Sequence, residues 1–461
     1  MIVITRDLAR RFRAVARKCV SGRPRGPAPP VVMQARSGTL TLWVRAGDAD
    51  LTYAGPTDGG DDTVVVPMSV LEGIEGSVPD PVELSVGPKL RGSARWVRHG
   101  LAQTLPFEAI LPGKQHRVPE LPDDSHPVPA SILTALHECG RTAARESARF
   151  ALNRVQVKGK SGQLVGTDGR QALIWGGFTF PFTADLQVPA VPAFGTRELA
   201  GEEVRVGRTA THLVVAAGPW GVWLPEDMGG RYPDVAAVVP RPAGGSVAGV
   251  DGRDAAALLD ALPHLPGAGD EDRAVTLDLD GWVVVRARDA QTGAVREVAL
   301  TRSPAAGSPA RVAVDRKALS RALALGCHTL RLAGDGKPLA AEGDDRTFVC
   351  MCLDPGLVVP PDPGAVRVAT EEGVSRSPRP TTTPRRIPVK THETNGHPPD
   401  GRHDPPADAP DPLVEAEALR AALAEVATRA GRLVAALKQS RRQSKALASV
   451  VTTLRQLNLG P

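Results

Sequence analysis

The chain contains no run of about 18 consecutive apolar residues, the length a membrane-spanning helix requires, so no such span is expected. Its amino terminus, MIVITRDLARRFRAVARKC, turns basic within ten residues and shows no apolar core followed by a small-residue cleavage site. It does not read as a secretory leader. Cysteine is scarce and odd in number: five thiols, with Cys19, Cys139 and Cys327 far apart. That usage suits reduced thiols in the cytoplasm rather than a disulfide framework.

Signatures of catalysis are missing as well. Gly159-Lys160-Ser161 has the ending of a phosphate-binding loop, but Arg154 stands where its first glycine belongs, and the segment leads into a strand rather than a helix. His137-Glu138-Cys139-Gly140-Arg141 begins like a zinc-protease helix, then places Arg141 at the second histidine. Cys350 and Cys352 share one strand face without CxxC spacing or clustered histidines, which fits small apolar packing. Asp168-Gly169, in VGTDGRQALIWG, sits between two apolar runs and reads as hairpin chemistry, not as an active-site carboxylate. No enzyme is expected, and no cofactor or metal.

What is present begins with length: 461 residues exceed a single hydrophobic core and suggest two to four domains. Net charge is only +5, but nine Lys/Arg against one acid (Asp7) fall between Arg6 and Arg36, a distribution that suits a polyanion partner or a solvated surface. From Asp354 to Pro412 the composition shifts to 14 prolines in 59 residues, and residues 354–411 read as a disordered linker. Residues 412–461 then carry Leu419, Leu423, Val426, Ala430, Leu433, Leu437, Leu447, Val451 and Leu454 in alternating steps of four and three. That is a coiled-coil-like helix, weakened by Gly431, Ser440 and Ser444, whose apolar stripe needs a partner.

Within the first 353 residues one pattern recurs: a short strand, then Pro, Asp or Thr, then an apolar helical stretch. The copies are IVITRDLARRF, VVVPMSVLEGI, HPVPASILTAL, LQVPAVPAFGT, AGVDGRDAAALL and VAVDRKALSRAL, and successive starts lie 62, 62, 60, 62 and 64 residues apart. Strand signals with alternation and tight turns fill the intervals. Two copies per domain give three topologically similar domains, 1–123, 124–245 and 246–353, each with two helices on curved antiparallel sheets: an α+β fold.

Three segments together resemble the bacterial sliding clamp, the beta subunit of DNA polymerase III. SARFALNRVQVKGKSGQLVGTDGRQAL at 147–173 is similar to that family's Arg-aromatic-x-Leu-Asn-Gly strand and its Ala-Thr-Asp-Gly-His-Arg-Leu turn. RYPDVAAVVP at 231–240 is similar to Arg-Phe-Pro-Asp-Tyr and a closing proline, and RTFVCMCL at 346–353 to the last strand, which in the family ends Met-Pro-Met. The matches fall in order along 1–353. The resemblance implies a homodimeric ring, closed head to tail around duplex DNA, whose helices line the hole. It implies sequence-independent DNA binding, and as partners DNA polymerase III, a clamp loader and proteins carrying a clamp-binding motif.

For the DNA face the helical spacing separates Arg10, Arg13 and Arg17 from a core stripe of Leu8, Phe12, Val15 and Cys19. It likewise sets Arg141 and Arg145 apart from Ile132, Leu136, Cys139 and Ala143, and Lys317 and Arg321 apart from Ala318, Leu319, Ala322 and Leu323. Arg23 or Arg25 occupies the loop that carries a DNA-contacting arginine in the family. The resemblance places a partner-peptide pocket at Arg149, Leu152, Thr167, Ala172, Pro240, Val349 and Met351. Ala172 stands where leucine is usual, which implies a shallower pocket, and Gln456-Leu457-Asn458-Leu459 resembles a clamp-binding peptide lacking its aromatic residue. The alternative reading is a divergent paralogue that acts as a scaffold or regulator through its terminal helix.

Overall fold

The computed structural model describes residues 1–370 except 23–25, 147–150, 228, 241–244 and 335. The described residues all belong to one compact unit. Residues 371–411, the terminal helix expected over 412–461 and Gln456–Leu459 lie outside the described residues.

The six repeat copies become five α-helices and one 3-10 turn. The helices are α1 (Arg6–Lys18), α2 (Met68–Ile74), α3 (Ser131–Thr142), α4 (Gly252–Ala261) and α5 (Arg316–Ala324). The residue type between strand and helix is a start signal. Thr5, Asp251 and Asp315 are N-caps whose side chains accept from Leu8, Arg253 and Lys317 backbone N–H, while Pro67 opens α2 without needing an N–H of its own. The fourth copy departs from the two-helices-per-domain expectation. Pro189, Pro192 and Gly195 confine it to the 3-10 turn Pro192–Gly195.

The strands form four-, eight- and thirteen-stranded sheets built from one arrangement used three times. In the first repeat, Ile2–Thr5, Pro81–Val86, Arg91–Arg98 and Leu101–Glu108 lie in that order, and Asp62–Val66, Val31–Arg36, Thr39–Arg45 and Asp50–Pro56 form a second row. The second repeat has the same two rows: His126–Val128, Val204–Arg208, His212–Ala217, Trp220–Pro225, and Asp185–Pro189, Arg154–Lys158, Gln163–Thr167, Gln171–Trp175. So has the third: Ser246–Gly249, Thr329–Leu332, Leu339–Glu342, Arg346–Cys350, and Ala310–Asp315, Ala274–Asp280, Trp282–Arg288, Val295–Gly307. Neighbouring repeats are joined through the last strand of each row. Asp50–Pro56 pairs antiparallel with Trp220–Pro225, Trp223 opposite Asp50, and Gln171–Trp175 pairs antiparallel with Arg346–Cys350, Val349 opposite Ala172.

The helices cover these sheets in a continuous row. α1 packs on α2 and on the 3-10 turn Pro192–Gly195, that turn packs on α3, Arg321 of α5 reaches α3, and α4 packs on α5. Their apolar faces enter the core, with Phe12 stacked 6.3 Å from Trp220 of the second repeat. Gly166 lets α3 approach its sheet, because a Cβ there would overlap Cys139 O and lie 2.7 Å from the carbonyl carbon.

The proline-rich segment expected to be a linker from 354 is instead built into the third repeat as far as Thr370. Leu353 N–H donates to Ala313 O, Val359 is buried with its N–H on Thr276 Oγ1 at 2.7 Å, and Val366–Ala369 adds a parallel strand to Arg296–Ala299. Backbone hydrogen bonds hold this strap, so it needs no apolar periodicity and none was there to be read.

Candidate nucleic-acid face and peptide pocket

Of the expected DNA contacts, Arg17, Arg141, Arg145 and Lys317 are exposed on or beside their helices. Arg10 is half-buried and donates from Nε to Gly76 O at 3.1 Å. Two expectations are corrected. Arg13 is 3% exposed; its guanidinium pairs with Glu72 at 3.1 Å and with Glu75, and so fastens α1 to α2. Arg321 does not project. It donates to Glu138 O at 2.6 Å and to Glu138 Oε2 at 3.0 Å, and stands over the Phe348 ring, so it fastens α5 to α3. Burial holds this guanidinium below its ordinary pKa, against the opposing pull of Glu138.

Two exposed cations escaped the stripe argument: Lys18 beside Arg17, and Arg253 in the first turn of α4. Lys18 was visible within the basic segment; Arg253 had no signal beyond its place in a repeat copy. Arg17 and Arg45 flank a cleft of about 480 Å³ that includes Gly26, Pro27 and Pro29. Arg23, Arg25 and Arg149 lie outside the described residues.

Several pocket positions converge on the sheet face opposite the main core. Thr167 pairs with Ala172, Ala172 with Val349 and Val349 with Ala340, which sets four side chains in a row across four strands. Val165, Ala172, Val235, Ala340 and Val349 form a separate apolar cluster with Ile174, Tyr232 and Val239 packed on it. Residues 232–239 therefore cover the floor expected for a peptide. The Tyr232 hydroxyl fixes that cover by donating to Val165 O at 3.0 Å, and burial pushes its pKa well above the ordinary phenol value. Leu152 and Pro240 are half-buried, and Met351 and Val238 are 49% and 53% exposed. Tyr232 is visible in the sequence as part of RYPD, but its role as a cover is long-range and was missed.

Asp168 is a turn residue, as its sequence context indicates. Its carboxylate accepts from Arg170 N at 2.8 Å, Gln171 N at 2.9 Å and Gln171 Nε2 at 3.0 Å, and Gly169 takes φ +89°. Thr167 Oγ1 is spent on the same turn, donating to Gln171 O at 2.7 Å. Among the described residues there is no group of three His, Cys, Asp or Glu that could hold a metal, and no helix long and apolar enough to cross a membrane.

No protein-family profile matches the chain, and no curated protein matches its sequence. Solved structures do match its fold. The chain is similar to the Pseudomonas aeruginosa DnaN sliding clamp bound to griselimycin, with a TM-score of 0.61 and 18% identity over 77% of this chain and 99% of that one. It is similar to a DNA polymerase III beta subunit of Eubacterium rectale, with a TM-score of 0.63, 11% identity and the same coverage. The Borrelia burgdorferi beta subunit in complex with a natural product matches at a TM-score of 0.61 and 12% identity, over 76% and 98% of the two chains. The chain therefore has the fold of the bacterial sliding clamp, the beta subunit of DNA polymerase III.

Proposed function

We propose that the protein is a DNA sliding clamp: a homodimeric, cytoplasmic ring that encircles duplex DNA and tethers DNA polymerase III and other replication or repair proteins without catalysing a reaction itself. The observation that carries the reading is the match to clamp structures over 99% of their length. Exposed Arg17, Lys18, Arg141, Arg145, Arg253 and Lys317 on or beside one row of helices support it. Such cations attract phosphates without reading sequence, which a sliding ring requires. Arg23 and Arg25 belong to the same face in this reading, and the three domains are 1–123, 124–245 and 246–353.

A partner's peptide would meet the rim formed by Leu152, Pro240 and Met351, with Arg149 beside it, and would reach Thr167, Ala172 and Val349 after residues 232–239 shift. Tethering works through effective concentration, since a held polymerase rebinds before it diffuses away. The terminal helix at 412–461 would add a coiled-coil contact to a further protein or a second copy. The test is primer extension by a clamp-dependent polymerase and loader on a long template. Products lengthened by this protein, and shortened again by a competing clamp-binding peptide, support the reading; lengths unchanged by the protein contradict it.

A further inference from the structure

The two internal joins obey one rule. The last strand of one row meets the last strand of the other row in the following repeat, antiparallel and at the same offset: Trp223 opposite Asp50, and Val349 opposite Ala172. Trp223 and Val349 are each the fourth residue after a two-residue hairpin turn that ends before Trp220 and Arg346. The first repeat has an equivalent strand, Leu101–Glu108, which also follows a two-residue turn and shares a proline at the sixth place, Pro106 matching Pro225. Its partner under the rule is the last strand of the third repeat, Val295–Gly307, and only a second copy of the chain can bring the two together. Leu101–Glu108 has no other sheet neighbour beyond Arg91–Arg98 among the described strands, and Leu101 is 67% exposed.

The other edge is not free. Val366–Ala369 pairs with Arg296–Ala299, one strand beyond the twenty-four of the threefold arrangement. Thr370 anchors it: its N–H donates to Ala299 O at 3.0 Å, its Oγ1 accepts from Thr301 N at 3.1 Å, and its carbonyl accepts from Thr301 Oγ1 at 3.0 Å. Arg367 adds an ion pair to Glu297 at 3.4 Å. The strand is attached lightly. It is parallel where both internal joins are antiparallel, it is four residues long, and its side chains face solvent, Val366 and Val368 being 60% and 58% exposed.

We propose that Val366–Ala369 is a built-in cap on the ring-closing edge, docked in the separate chain and displaced when Leu101–Glu108 of a second copy takes the same backbone groups. This rests on the ring reading above. Docking and closure exclude each other because the outward N–H and C=O groups of residues 296–299 can serve one neighbour. An edge open about a tenth of the time binds its partner about tenfold more weakly than a free edge, so the cap sets the concentration at which rings form.

The test compares three full-length chains by sedimentation over a concentration series: wild type, Val368→Pro with Thr370→Ala, and that double variant with Thr104→Pro added to remove an outward N–H of the incoming strand. Release of the cap is expected to lower the self-dissociation constant by about tenfold or more, and Thr104→Pro is expected to abolish the gain. Hydrogen exchange checks the mechanism in the wild type, where the outward amides of Glu297 and Ala299 are expected to be slow in the dilute single chain. In the double variant they are expected to be fast in the single chain and slow after association. A double variant that melts like the wild type and associates no more tightly, while Thr104→Pro weakens association, overturns the cap and leaves the ring standing. Association indifferent to Thr104→Pro overturns the ring reading and the cap with it.

Discussion

Arg321 and Arg141 share one acceptor, Glu138, and substituting each separates a structural arginine from one proposed to meet phosphate. Arg321 holds Glu138 through its carbonyl at 2.6 Å and its carboxylate at 3.0 Å, with a side chain 15% exposed; Arg141 reaches the same carboxylate at 2.9 Å from a side chain 59% exposed. Removing one partner of a buried pair costs about 3–5 kcal/mol. Glu138 would keep Arg141, which offsets part of that, while loss of the cation over Phe348 adds about 0.5–1 kcal/mol. Arg321→Ala is therefore expected to destabilise the folded unit by about 2–4 kcal/mol, read as a lower urea midpoint at unchanged slope. Arg141→Ala is expected to cost no more than the ~0.5 kcal/mol of an exposed pair. DNA binding should reverse the order: Arg141→Ala reduces the slope of log affinity against log salt by about 0.9, and Arg321→Ala leaves it unchanged. Equal stability losses, or a salt slope altered by Arg321→Ala alone, would refute this division.

Other outcomes follow from single contacts. Gly166→Ala is expected to cost about 3 kcal/mol or more, because α3 must lift off its sheet to clear a Cβ against Cys139 backbone; thermal melting and α3 amide exchange report it. Tyr232→Phe removes the bond to Val165 O, costs about 1 kcal/mol and loosens the pocket cover, so a fluorescent clamp-binding peptide should bind more tightly; unchanged or weaker binding contradicts the covering role. Burial pushes the Cys19 and Cys350 thiols up to about 12 and Cys327 to about 11, with Cys350 also opposed by Cys352. Ellman's reagent at pH 8 should find all five thiols in denaturant and at most half-exposed Cys352 quickly in the native chain.

The fold was legible because each repeat copy carries its own local signals. Alternation marks the strand, Thr5, Asp251 or Asp315 marks the start of the helix, and the spacing of Leu8, Phe12 and Val15 marks the buried face. Those signals are short-range, and the misreadings are long-range. The spacing of Arg13 and Arg321 places them off the apolar stripe, but only tertiary packing brings Glu72, Glu75 and Glu138 to meet them. The same limit hid Tyr232, whose target carbonyl lies 67 residues away. Proline content made residues 354–370 look unstructured, since a strand held by backbone and one threonine leaves no apolar pattern. Strand parity did separate Val349 from Cys350, which enter different apolar clusters, and Asp168-Gly169 announced its own turn.

The most direct test of the clamp reading is topological. The protein is loaded onto nicked circular DNA, washed at moderate salt, and the circle is then cut once with a restriction enzyme. A ring around the duplex is predicted to stay on the circle and to leave after the cut by sliding off the ends, with blocked ends preventing its loss. Release governed by salt alone, at the same rate from circular and linear DNA, would contradict encirclement.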